Sequence, residues 1–382
     1  MTSFRPVKTA LIGCGMISEI YLKNCCENYK ILEVVGCSDL LPERSAAKAR
    51  AFGIRQMTNE EIFSDPEIEL IINTTYPLSH YPVSKAALLA GKNVYSEKML
   101  AVTFAQGAEL IQLAKEKGLL LGCAPDTFMG AALQTARRVI DSGFIGTPVA
   151  ATAILGRCYH HERWKTEAER RFAFCEGGGI LYDMGGYYLS GLIHLLGPMQ
   201  RVAGISQTIG KDSRRFANPD NPAYGQKMSV DSPNNTVGIV EFQNGTLCSF
   251  LHSSESGGSH NSYCIFGTEG KLDLGDPNEF ASAASPLKLT TKAGGEQIVP
   301  LTHAFTGNCR GLGAADLAYA LRDRRLPRAS GENALHILEA ACAMEQSGLT
   351  GRFHTMTTSC SRPQPLESGY TEYPEQVLGR ML

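Results

Sequence analysis

Short apolar runs alternate with longer amphipathic stretches through the first 123 residues. Residues 9–15 (TALIGCG) read as a strand running into a glycine turn, and residues 31–39 (ILEVVGCSD) as a second strand. Residues 68–75, 93–97 and 119–124 continue the series, with helical spacing at 42–53 and 80–92 between them. Strands that alternate with helices imply βαβ units and a parallel sheet. From residue 149 the period changes. Residues 149–159, 199–210, 235–242, 246–254, 262–268 and 271–275 all read as strands. Asn244-Gly245 between two alternating runs is a strong hairpin signal, and 266–274 reads as a second tight hairpin. Helical patterning returns at 311–323 and 333–346. Residues 211–235, rich in Pro, Asn and charge, read as a long loop, shaping specificity or forming loose surface, and 361–382 as an irregular tail.

The expected organisation is therefore a nucleotide-binding domain over 1–123, an α+β domain with a large, mostly antiparallel open sheet over 124–360, and the tail. A chain of 382 residues suits two domains. The net charge of −2 and the lack of a basic stripe argue against nucleic acid as a partner. No apolar run reaches the length of a membrane span, and the start lacks a signal-peptide core. The twelve cysteines form no C-x-x-C pair and read as small buried hydrophobes of a reducing, cytoplasmic compartment. There the Asn-x-Thr triplets at Asn234 and Asn244 carry no glycan.

Gly13, Gly15 and Ser18 form G-x-G-x-x-S after the first strand and before a helix, with Asp39 at the end of the second strand. That arrangement is a dinucleotide fingerprint. The glycines let the backbone approach a pyrophosphate, and the helix N-terminus at Met16 and Ile17 faces it. Asp39 suits a ribose 2′-hydroxyl and favours NAD over NADP, although Arg44 lies close by. Thr75, Tyr76 and His80 follow another strand end, where open α/β sheets bind ligands. His80 also suits a purely local role at a helix start. Glu97 and Lys98 end the next strand, either as a surface ion pair or as cofactor-facing groups. Beside a nicotinamide cation, Lys98 is expected to have a lowered pKa.

The stretch 177–197 (GGGILYDMGGYYLSGLIHLLG) places Asp183 and Tyr187 one turn apart on an otherwise apolar helix. Buried polar side chains need partners. A hydroxylated substrate would supply them, and so would a capping role for the Asp and a core role for the Tyr. Residues 156–165 hold the one tryptophan, Trp164, beside His160, His161, Glu162 and Arg163. That mixture suits sugar recognition, with His161 and Trp164 as substrate contacts, or a solvated loop. Adjacent histidines do not match helical metal-site spacing, so no metal is expected.

The set G-x-G-x-x-S, Glu97-Lys98-x-Leu100-Ala101 and G-G-G-x-x-x-D-x-G-x-Y resembles the glucose–fructose oxidoreductase / inositol dehydrogenase / MocA superfamily over nearly the whole chain. The resemblance implies a Rossmann domain and an NAD-dependent oxidoreductase acting on a secondary hydroxyl of a sugar, polyol or glycoside. It implies Tyr187 as proton acceptor, Lys98 as its helper and Asp183 as the group that orients substrate and tunes the Tyr. It also implies a homodimer or homotetramer through the second sheet. Three departures stand out: Met99 where the family has Pro, Ser190 three residues after Tyr187, and Asp126-Thr127 in a substrate-side loop. They leave room for a redox-neutral enzyme that retains NAD and cleaves glycosides, or for a catalytically silent nucleotide-binding sensor.

Overall fold

The computed structural model describes residues 5–158, 160–163, 174 and 177–368. The first region runs β1 Val7–Ile12, α1 Ser18–Glu27, β2 Leu32–Ser38, α2 Pro42–Phe52, β3 Arg55–Gln56, α3 Asn59–Ser64, β4 Leu70–Asn73, α4 Pro77–Leu89, β5 Asn93–Ser96, α5 Phe104–Lys117 and β6 Leu121–Cys123. Its six strands order as β3-β2-β1-β4-β5-β6 and every pairing is parallel. This is the doubly wound dinucleotide-binding arrangement. Alternate residues feed two cores: Leu11, Ile72 and Tyr95 on one face, Ala10, Ile71 and Val94 on the other. Both faces are covered, as a parallel sheet requires. Local signals fix the helix ends. Thr103 and Gln106 form a capping box on α5, and Pro42 opens α2.

The chain continues through a 3-10 turn Thr127–Met129, α6 Ala131–Asp141, β7 Pro148–Gly156 and a 3-10 turn His160–Arg163. Helix α7 spans Gly179–Leu196 and is buried along its whole length. Strands follow at β8 Met199–Gln207, β9 Asn235–Phe242, β10 Leu247–Ser253, β11 His260–Gly267, β12 Gly270–Asp273, β13 Lys288–Thr291 and β14 Gly295–Ile298. The described chain ends with α8 Leu312–Asp323, α9 Gly331–Thr350 and β15 His354–Thr355. Nine strands order as β14-β13-β12-β11-β7-β10-β9-β8-β15, antiparallel except for β7 with β10. The expected α/β class and mostly antiparallel second sheet are both present. The Asn244-Gly245 hairpin joins β9 to β10, with Glu241 opposite Leu247.

Three features depart from the sequence reading. Strands β3, β13, β14 and β15 carry no clear apolar alternation, and both residues of β3 and all four of β14 are exposed. Helix α8, expected within the second domain, packs on β5 and β6 of the first sheet. A Cβ on its Gly313 would lie 2.3 Å from the Tyr95 hydroxyl, and Arg322 at its far end bonds both Glu69 oxygens at 2.8 and 2.9 Å. The residues at 211–234 are no loose surface. Phe216, Ala223 and Val230 pack with Phe174 in a small separate core. Arg214 pairs with Glu162 at 2.5 Å and with Glu255 at 2.6 Å, and Glu162 also accepts the Ala217 and Asn218 amides. The tail is irregular through Ser368, tied down by Arg362 on the Leu195 carbonyl and by the Leu366 amide on Gln134. No described helix is long and apolar enough to cross a membrane.

Candidate active site

The glycine turn after β1 has the shape of a dinucleotide cradle. Gly13 has φ +101°, and a Cβ there would lie 2.7 Å from the Thr74 carbonyl carbon and the Thr75 amide nitrogen. Only glycine fits that contact between the ends of β1 and β4. A Cβ on Gly15 would meet nothing within 4 Å, so the backbone borders open space. Helix α1 opens at Ile17 with no side-chain cap, leaving its N-terminus for an anion. Met16 beside it is exposed. Asp39 accepts the Cys14 amide at 2.6 Å and the Leu41 amide at 2.8 Å. These bonds pin the carboxylate against the turn. Arg44 sits in the first turn of α2. A dinucleotide fits these residues.

Thr75 and Tyr76 lead into α4 beyond the end of β4. The Thr75 hydroxyl bonds Asn73 Oδ1 at 2.7 Å, and Tyr76 is exposed. His80 does not join them at an open surface. It is 1 % exposed, with Nδ1 2.8 Å from the Met99 carbonyl and Nε2 3.0 Å from the Thr75 carbonyl. Burial lowers its pKa. His80 thus bridges two loops, which matches the local role also open to it at a helix start. Asp126 and Thr127, expected as substrate contacts, are buried as well, and the Thr127 hydroxyl has no hydrogen-bond partner among the described residues. Each is 1 % exposed, and Asp126 Oδ2 accepts the Gly311 and Gly313 amides at 2.9 and 3.0 Å. Burial pushes its carboxyl up to about 6. It anchors the start of α8.

Glu97 and Lys98 project from the end of β5, and the Lys98–Met99 peptide is cis. Glu97 accepts the Tyr21 hydroxyl at 2.6 Å and turns its other oxygen to the Lys98 amide at 3.2 Å. Lys98 Nζ lies 3.1 Å from Asp183 Oδ1 and 5.3 Å from the centre of the Tyr187 ring. The lowering of the lysine pKa expected beside a nicotinamide cation is opposed by the protein's own groups. Burial does disfavour the charge, but Tyr187, Asp183 and Glu97 together outweigh it and hold Lys98 above the ordinary lysine range.

Helix α7 delivers Asp183 and Tyr187 to this point. A Cβ on Gly179 (φ +78°) would lie 2.4 Å from the Pro233 carbonyl oxygen, so glycine is required where the chain turns into the helix. The second Asp183 oxygen lies 2.9 Å from His160 Nε2. A buried carboxylate is thereby held from two sides, which offsets the cost of removing it from water. Ser190 does not reach the site, since its hydroxyl bonds the Tyr187 carbonyl one turn back.

Two residues outside the sequence expectation complete the cluster. His160 grips Asp183. The backbone of His161 lies in the same 3-10 turn, while its side chain and Trp164 fall outside the described residues. Neighbouring histidines are indistinguishable until the turn orients them. Arg310, in the loop before α8, brings Nη2 to 3.4 Å from the Tyr187 hydroxyl and 2.6 Å from Asn278 Oδ1. It lies more than 120 positions from Tyr187 in sequence, and no local motif marks it.

Comparisons with known proteins identify the family. Residues 7–124 match the oxidoreductase family with the NAD-binding Rossmann fold, and residues 133–273 match the GFO/IDH/MocA C-terminal domain. The chain is 27% identical over 334 residues to the 1,5-anhydro-D-fructose reductase of Ensifer adhaerens, covering 84% of this chain and 90% of that protein. Levoglucosan dehydrogenase in complex with NADH superposes with a TM-score of 0.78 at 18% identity, over 93% of this chain and 100% of that one. An oxidoreductase from Agrobacterium radiobacter in complex with NAD+, L-tartaric acid and magnesium gives 0.73 at 17% identity, over 92% and 98%. Fold and family together define an NAD(P)-dependent dehydrogenase. The chain belongs to the Gfo/Idh/MocA oxidoreductases, the family of sugar and polyol dehydrogenases.

Proposed function

We propose that the protein oxidises a secondary hydroxyl of a sugar, polyol or glycoside to a ketone, with NAD as hydride acceptor. The observation that carries this reading is the meeting of Lys98, Asp183 and Tyr187 beyond the strand end that follows the dinucleotide cradle. Bound nicotinamide supplies the hydride acceptor. Tyr187 accepts the proton of the reacting hydroxyl as the carbinol C–H bond breaks. Lys98 donates a hydrogen bond to that hydroxyl oxygen and balances its developing charge. Asp183 fixes Lys98, and His160 fixes Asp183. The burial of Tyr187 keeps bulk water from the proton-transfer path.

Asp39, fixed against the turn, favours the free ribose hydroxyls of NAD. The test is a panel of sugars, polyols and glycosides, with levoglucosan and 1,5-anhydro-D-fructose included for the relatives' sake. NAD and NADP are compared, with each carbonyl compound also run in the reducing direction. The reading predicts stoichiometric cofactor turnover with NAD preferred. Cofactor binding without turnover of any panel member would reject it.

The outer face of the second sheet presents Ile205, Val237, Ile239, Leu247 and Phe266 to solvent. A contiguous apolar face of this kind fits a second copy of the chain, and we propose a homo-oligomer formed through it.

A further inference from the structure

The charges around Tyr187 are unevenly balanced. Lys98, from the end of β5, is matched by Asp183 at 3.1 Å, and that acid is held in turn by His160. Glu97 is occupied by the Tyr21 hydroxyl, and Asp126 by the two amides that open α8. Arg310 differs from all of these. Its guanidinium bonds the Asn278 carbonyl at 3.1 Å, Asn278 Oδ1 at 2.6 Å and Asn308 Oδ1 at 2.8 Å. These acceptors are neutral, and no carboxylate pairs with Arg310 among the described residues. The fourth group it reaches is the Tyr187 hydroxyl at 3.4 Å, with the guanidinium carbon 5.8 Å from the ring centre. Lys98, by contrast, faces the ring rather than the hydroxyl.

Asp126 and Glu97 act on this guanidinium only from beyond ion-pair distance, so it is available to negative charge that forms beside it, and a fixed charge in a water-poor site acts strongly. We infer that Arg310 is the positioning residue of the proton acceptor: it holds the Tyr187 oxygen and stabilises it as a phenolate, leaving Lys98 to the substrate. In the oxidation direction the substrate O–H bond breaks, its proton passes to the Tyr187 oxygen, and the carbinol hydride leaves to nicotinamide. Arg310 transfers nothing and remains charged throughout. This rests on the oxidoreductase reading above.

The test uses full-length protein and Arg310→Gln, Arg310→Lys and Arg310→Ala variants, assayed with NAD and whichever panel sugar the wild type turns over. Arg310→Gln is expected to lose about 100-fold in kcat with KM little changed. Arg310→Lys should retain part of the rate, and millimolar guanidinium should restore part of it to Arg310→Ala. A second readout needs no substrate. The ultraviolet tyrosinate signal that Tyr187→Phe removes should appear at higher pH in Arg310→Gln than in wild type. That signal decides the inference even if no panel sugar is turned over, so the two failures are separable. Unchanged kcat in Arg310→Gln overturns it. So does a loss that neither Lys nor guanidinium relieves, or a tyrosinate onset indifferent to Arg310.

Discussion

Asp183 occupies a helix buried from end to end, and its two partners approach from different parts of the chain. Removing one partner of such a set leaves the other charge stranded, at a cost of about 3–5 kcal/mol. Asp183→Ala should therefore lower both stability and activity, whereas Tyr187→Phe should lower kcat by about 10²–10⁴ with the melting temperature nearly unchanged. Steady-state kinetics beside thermal unfolding separates the two effects. Equal losses of stability in both variants would place Tyr187 in the core rather than in the chemistry. Asp126 offers a pH test. Its carboxyl titrates near 6 when folded against an ordinary value of 3.8. The native state holds the extra proton between those values, so this group favours folding at the acid end and loses that contribution as pH rises through 6. The difference is of order 3 kcal/mol. Asp126→Asn should flatten the fall in urea-unfolding free energy between pH 4 and 6, and an unaltered slope would count against a buried, charge-disfavoured Asp126.

At the scale of elements, the turn His160–Arg163 couples Asp183 to the segment 211–234. His160 grips Asp183 while Glu162, two residues on, receives Arg214 and the Ala217 and Asn218 amides. Glu162→Ala should free that segment to limited proteolysis and reduce kcat/KM, while Glu255→Gln, on the outer side of Arg214, should do less. Equal protection of the segment in wild type and Glu162→Ala would contradict the coupling. The sequence disclosed the elements that bury apolar faces: β1, β2, β4 and β5 through their apolar runs, and α7 through its glycines and hydrophobic length. It did not disclose β13 or β14, because edge strands with polar or exposed residues carry no alternation to read. Asp183 and Tyr187 were visible because polar groups on an apolar helix demand partners. His160 and Arg310 were not, because their roles arise from tertiary placement alone. The struts made by Asp126 and His80 were equally hidden, since polar residues after strand ends bond backbone as readily as they face ligands.

At the scale of the whole molecule, one apolar core runs from the first sheet through α7 to the second sheet. Helix α8 clamps back onto the nucleotide domain through Arg322 and Glu69. The glycine turn after β1 and helix α7 therefore sit on a continuous packed body. The opposite face of the second sheet is left with exposed branched residues. Ile239→Lys, near the middle of β9, should convert the proposed oligomer to monomer in sedimentation velocity without changing the far-ultraviolet dichroism. A wild-type protein already monomeric at micromolar concentration would dismiss that interface.

The most direct measurement of the central claim is isotope transfer. Perdeuterated members of the sugar and polyol panel would be incubated with NAD, and the recovered cofactor weighed by mass spectrometry. The account predicts one carbon-bound deuteron per reduced nicotinamide, accompanied by a ketone product, and none with the Lys98→Met, Tyr187→Phe double variant. Deuterium transfer that survives that double substitution would contradict the assignment of Lys98 and Tyr187 to the chemistry.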